Sequence, residues 1–303
     1  MKRLPLSVLR KLKNRRKRNH IKAGTAGVLA IILLAFLVAG CAAGPEAVKP
    51  TPSMIPENLP LYVSILPEEN RELLVGILAG QIEESQLDQF IERTERIYSG
   101  INSDGLFHLV AEGEYPEGLL RFSFFFDNKI KKAKSDFRYW QLENGLEIGF
   151  SKTGFLLVSN ENIESMFALD DRITGGGVQA PLIEKLKAGD ITLYGTSFPE
   201  LDGVASIIPD DLLKEWQLLL IKREEEYSGQ LILELKDDRS ARVLGTTIKL
   251  LTLTGRLEEE SGALFGSILT EGMTLDGNRI IFSGFTFSSE DMIGITDSFF
   301  RRE

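Results

Sequence analysis

The chain has 303 residues, 35 Lys and Arg against 44 Asp and Glu, one Cys, and two His at positions 20 and 108. A single cysteine rules out a disulfide within the chain, and two histidines leave no His/Cys set for a structural zinc site. The charge is unevenly placed. Residues 1–40 hold ten cations and no acid, leaving 25 basic and 44 acidic residues from Cys41 onward, a net −19. A body so acidic lacks the clustered cations that phosphate backbones require, which excludes nucleic acid as a partner.

The leader comes first. Ten basic residues abut "AGTAGVLAIILLAFLVAG", residues 23–40, an uncharged apolar run. This is the order of a secretory signal: basic region, apolar region, small-residue exit. The cytoplasmic cations orient the segment so that the remainder is exported. "NRRKRNH" pairs arginines without apolar residues after them, so the general secretory route is expected over the twin-arginine one.

At the exit stands Val38-Ala39-Gly40-Cys41. This stretch resembles the lipobox of bacterial lipoproteins. The resemblance implies diacylglycerol transfer to the Cys41 sulfur, fatty acylation, and cleavage between Gly40 and Cys41. The chemistry is sound, because a thiol is the strongest nucleophile in the chain and small neighbours leave it accessible. The covalent lipid on Cys41 is then the only prosthetic group expected, with no metal or soluble cofactor. Ala42, where the sorting rule for such proteins watches for aspartate, favours the outer membrane in an organism with two membranes.

Residues 41–57, from the acylated Cys through "AAGPEAVKPTPSMIPE", carry four prolines and read as an extended tether. A folded α+β body follows, expected as two loosely similar units with mainly antiparallel sheets, 58–175 and 182–303. Two features suggest the repeat. "LYVSILP" at 61–67 matches "LYGTSFP" at 193–199, and "LFHLVAEGEYPEGLLRF" can be laid beside "QLILELKDDRSARVLGT". The joint would lie at Gly175 to Gly177, and a single continuous α+β domain is the alternative.

Within the body, Ser85-Gln86-Leu87-Asp88 reads as a capped helix start, with Leu87, Phe90, Ile91, Thr94 and Ile97 on one face. "FRYWQLENGLEIGFSKTGFLLVSN" reads as a β-meander turning at Asn144-Gly145 and Thr153-Gly154, and Asp276-Gly277 marks another hairpin. Ala241, Leu244, Ile248 and Leu251 have the spacing of an amphipathic helix opened by Asp237 or Asp238. "LLRFSFFFD" fits either strand or helix.

Catalytic patterns are sparse. His108 alternates with apolar residues in a strand, which favours a structural imidazole over a base. The sequence shows no phosphate loop, dinucleotide fingerprint or nucleophile elbow. Acid pairs at Asp210-Asp211 and Asp237-Asp238 are read as helix caps, and Glu224–Glu226 and Glu258–Glu260 as solvated edges. No enzyme activity is expected. The aromatic residues Phe122, Phe124, Phe125, Phe126 and Trp140 are core candidates and, as the sharper alternative, hydrophobic-contact candidates.

The body also resembles spirochaete-type envelope lipoproteins in "LPLYVSI", "IERTERIYSGI" and the "YW" before the meander. Together these point to a membrane-anchored envelope lipoprotein that binds or scaffolds, with envelope proteins or lipids as partners. The alternatives are a carrier of lipid or another hydrophobic ligand, and a hydrolase using two carboxylates.

Overall fold

The computed structural model describes residues 53–78, 84–116, 130–133, 135–143, 145–151, 154–170, 177–198, 207–254, 268–269 and 271–293. Cys41, Phe122, Phe124, Phe125, Phe126, Glu258–Glu260 and the start of the joint at Gly175 lie outside these residues.

Among the described residues twelve strands form one sheet in the order β11-β12-β10-β9-β8-β1-β2-β3-β7-β6-β5-β4. In chain order they are β1 (Leu61–Ile65), β2 (Thr94–Ile101), β3 (Phe107–Gly113), β4 (Ile130–Lys132), β5 (Tyr139–Leu142) and β6 (Glu147–Phe150). There follow β7 (Leu156–Ser159), β8 (Ile191–Gly195), β9 (Leu213–Arg223), β10 (Glu226–Leu235), β11 (Thr274–Asp276) and β12 (Arg279–Ser288). Every pairing is antiparallel. The α+β class with a large antiparallel sheet is therefore what the chain adopts.

The two spans expected as tandem units contribute to one continuous sheet. They meet where β1 pairs antiparallel with β8, Leu61 opposite Gly195 and Ile65 opposite Ile191. Outward from this seam the order is similar on both sides. A long hairpin comes first, β2-β3 or β9-β10. Then comes a returning strand, β7 or β12, and the strand that precedes it in the chain, β6 or β11.

Among the described residues five helices lie on the two faces: α1 (Arg71–Leu78), α2 (Glu84–Arg93), α3 (Ile163–Asp170), α4 (Ala180–Leu186) and α5 (Asp238–Leu253). Strand residues alternate between faces, so Ile97, Ala111 and Val158 enter one core while Tyr98, Val110 and Leu157 enter the other. Leu73, Leu74, Leu87, Phe90, Leu244 and Ile248 from α1, α2 and α5 fill the first face. Ile163, Met166, Phe167, Ile183 and Leu186 from α3 and α4 fill the second.

The turns are placed as the sequence predicts: Gly145, Gly154 and Gly277 have φ of 87°, 88° and 57°, which glycine adopts without a Cβ penalty. Gly149 serves a different need. A Cβ there would stand 2.5 Å from Cζ of Phe167, so its absence lets α3 seat its ring on the sheet.

Two expectations need correction. The helix that buries Leu87, Phe90 and Ile91 ends at Arg93, and Thr94 and Ile97 belong to β2. Thr94 closes the helix by donating its hydroxyl to Phe90 C=O at 2.7 Å. Beyond it the chain is drawn into backbone pairing with β1 and β3, which overrides the helical spacing. The second strand of the repeat is Ile191–Gly195, two residues earlier than the "LYGTSFP" match implies.

Candidate functional site

Two places combine chemistry with position: the polar cluster around His108, and the outer face of α5.

His108 lies on β3, 4% exposed, with Ser159 of β7 directly opposite in the ladder. Its Nδ1 is 3.1 Å from Ser159 Oγ, and its Nε2 is 3.3 Å from a carboxylate oxygen of Glu161. Hydroxyl, imidazole and carboxylate thus stand in line, an association of residue types that can support nucleophilic chemistry. The geometry instead serves a helix end. Ser159 is fully buried, and its Oγ accepts the N–H groups of Glu161 and Asn162 at 3.1 and 3.2 Å. Glu147 Oε2 accepts Ile163 N–H at 2.8 Å, and Asn162 Oδ1 accepts Glu164 N–H at 3.0 Å. The four successive N–H groups of residues 161–164, leading into α3, are each accepted by a side chain. Burial holds His108 below the usual imidazole range, and Glu161 pulls the other way through its charge and hydrogen bond.

Ser159 and Glu161 were not singled out in the sequence. The available signal was "SNENIE", a serine with two asparagines just before an apolar helical run, which is a cap pattern.

The acid pairs have structural occupations. Asp237 is the N-cap of α5, its Oδ1 accepting Ser240 N–H at 2.7 Å, and these backbone and side-chain contacts with Ser240 hold its carboxyl below the ordinary range. Asp210 does not cap a helix, because the "LLKEW" segment that follows opens β9; its Oδ1 accepts Phe198 N–H instead. Glu224 occupies the β9–β10 turn at φ 56°. Among the described residues, no three His, Cys, Asp or Glu side chains are grouped to hold a metal.

Trp140 is 7% exposed in the core, edge-on to Phe150 at 6.4 Å between ring centroids. In this arrangement it packs β5 against β6 rather than presenting a surface.

The exposed apolar surface lies elsewhere. Helix α5 buries Ala241, Leu244, Gly245 and Ile248, yet Val243, Leu250 and Leu253 on its opposite side are 55%, 58% and 83% exposed. The spacing 243, 250, 253 returns to one helical face. Beside them Thr246, Thr247 and the C-cap Thr254 donate their hydroxyls to carbonyls of the preceding turn. Their polar atoms are therefore satisfied internally, and their methyl groups add to the apolar stripe. The helix carries Arg239, Arg242 and Lys249 against the single acid Asp238. It is thus a cationic, outwardly apolar helix on an acidic body. The second stripe is present in the sequence but is masked by the stronger buried one.

Residues 50–172 match the family profile described as the outer membrane-associated lipoprotein TP0453, a spirochaete protein. That match bears out the resemblance to spirochaete-type envelope lipoproteins. The family described there is outer membrane-associated, which agrees with a localisation in the cell envelope at the outer membrane. Solved structures agree in fold. Crystal form III of TP0453 superposes with a TM-score of 0.60 at 16% identity, covering 84% of this chain and 100% of that one. Crystal form I gives 0.58 at 14%, covering 85% and 100%. No match was found among curated protein sequences.

Proposed function

We propose that the protein is a binding or scaffolding lipoprotein, held by diacylglycerol on Cys41, whose body docks on the lipid surface through the outer face of α5. The observation that carries this reading is the apolar stripe of Val243, Leu250 and Leu253 beside Arg239, Arg242 and Lys249. Helices of this kind lie in the membrane interface, apolar side chains among the acyl chains and cations at the headgroups. Diacylglycerol already supplies two acyl chains, enough for stable anchoring, so a contact through α5 orients the body on the surface and brings it close to other envelope components. Among the described residues no helix is long and apolar enough to cross a membrane, which fits a surface contact.

The same reading makes the body a non-enzyme with no cofactor beyond its lipid. Its acids favour this: Glu234 is held below the ordinary carboxylate range chiefly by the hydrogen bond from Lys214, with Arg279 adding to it. Such a carboxylate stitches β9, β10 and β12 together rather than waiting for a proton. Envelope proteins or lipids are the partners proposed for the rest of the surface, and nucleic acid is not among them.

The chain has one cysteine, so a Leu253→Cys variant of the acylated protein has a single free thiol for a fluorophore. In vesicles containing anionic lipid, the label is expected to be quenched by brominated acyl chains. A label that stays fully aqueous in membrane-bound protein would remove α5 from the contact.

A further inference from the structure

The hydrogen bonds around His108 leave no spare capacity, and this has a consequence for α3. Glu161 is acceptor-only when ionised, so the proton of the neutral imidazole sits on Nε2 and points at Glu161, 3.3 Å away. Nδ1 is then a bare lone pair, and the Ser159 hydroxyl donates to it. Both remaining acceptor positions of Ser159 Oγ are taken by the N–H groups of Glu161 and Asn162.

We propose that His108, Ser159 and Glu161 form a proton-responsive cap that loosens the first turn of α3 when the imidazole takes up a proton. Protonation turns Nδ1 into a donor facing Ser159 Oγ. The serine hydrogen must then swing to Phe107 C=O, which lies 3.2 Å away and already accepts Asn160 N–H. Three donors now compete for two lone pairs, and one of the two helix-opening amides loses its partner. Glu161 and Asn162 are exposed residues, so the amide that loses its partner turns to water and the turn loosens. The helix it opens carries Ile163, Met166 and Phe167 of the second core, so loosening bears on the apolar layer over β6 and β7.

The charged groups around the imidazole do not cancel the effect. Glu161, on the turn before α3, bonds His108 directly. Glu147 on β6 is engaged by Ile163 N–H, and Glu164 on α3 accepts the hydroxyl of Tyr139 at 3.1 Å. On the remaining side, Gly100 of β2 is the cross-strand neighbour of His108; Ile55 and Leu59 pack on it, in the segment that also contains Glu57. Of these, Glu161 favours the imidazolium, whereas burial, the larger effect, opposes it. That balance permits titration without removing the competition at Ser159. The inference is independent of any membrane contact by α5.

The test is hydrogen–deuterium exchange on the full-length lipoprotein in detergent micelles, corrected for the intrinsic pH dependence of exchange. Protection of the Glu161 and Asn162 amides is expected to fall at least tenfold between pH 7.5 and 5, while amides of α5 keep theirs. In His108→Gln, which cannot titrate, protection should be the same at both pH values. Because that variant could misfold, a second measurement uses the wild-type protein alone. The 13C-labelled imidazole of His108, the one histidine left once residues 1–40 are removed, is followed by NMR, and its midpoint should coincide with the loss of protection. Constant protection while the imidazole titrates would overturn the proposal, as would a fall that persists in His108→Gln.

Discussion

Val63 of β1 faces Leu193 of β8 at the centre of the seam that joins the two spans of the sheet. Every hydrogen bond across this five-residue pairing belongs to both spans at once. Asp190 reinforces the seam from one end: its C=O accepts Leu66 N–H at 2.7 Å, its N–H donates to Leu220 C=O, and Oδ2 accepts Lys222 N–H. Strands so joined should unfold together.

The chain's two tryptophans report on this separately, since Trp140 lies on one side of the seam and Trp216 on the other. In Trp140→Phe and Trp216→Phe variants, urea unfolding followed by the remaining indole should give midpoints that coincide once each is referred to its own stability by circular dichroism. Midpoints well apart would mean that the spans unfold as separate units.

Replacing Cys41 by Ser should abolish incorporation of labelled fatty acid and leave residues 1–40 attached. Metabolic labelling followed by mass measurement of the purified protein checks both. Equal labelling of wild type and variant would defeat the lipobox reading.

Leu250→Glu with Leu253→Glu should leave folding nearly unchanged, within about 0.5 kcal/mol, because neither side chain packs in the core. Flotation with anionic vesicles should fall sharply when the acyl anchor is absent. By contrast, Ile248→Ala on the opposite face of the same helix should cost about 2–5 kcal/mol by opening a cavity, since Ile248 is 1% exposed. Thermal melts of both variants distinguish the two faces.

Stability should decline with acid in two stages. His108 is held below the imidazole range in the folded protein, so the unfolded chain takes up its proton first. Its contribution is therefore complete above an ordinary imidazole value of about 6.5 and is lost as pH falls from there toward the lowered folded value. Glu234, Asp237 and Asp291 are lowered carboxyls, so what they add is present above the ordinary carboxylate range and disappears as pH falls below it. Urea midpoints from pH 8 to 3 should show the upper stage removed in His108→Ala. That variant should also lose about 0.5–3 kcal/mol at neutral pH by emptying the buried site of the imidazole. An upper stage unchanged in the variant would assign it to another group.

Much of this molecule is local, and the local part was legible. The charge jump at residue 40, the apolar run and Val38-Ala39-Gly40-Cys41 placed the protein in the envelope without reference to any fold. Asn144-Gly145 and Asp276-Gly277 announced hairpins, because only a positive φ at the glycine closes them. Asp237 before the 241, 244, 248, 251 spacing announced α5, since cap and stripe lie within four turns of one another. What only the tertiary structure decided depends on partners far away in the chain. Thr94 and Ile97 have helical spacing after Ile91, yet β1 and β3 claim their backbone groups, and no local pattern records that competition. The β1–β8 seam joins residues 130 positions apart at Val63 and Leu193 by main-chain bonds that any residue but proline can make. His108 acquired its roles from Ser159 and Glu161, about fifty residues onward, when β3 and β7 came into register. Sequence specifies propensity and charge; which strand edge meets which is settled by burial of both sheet faces at once.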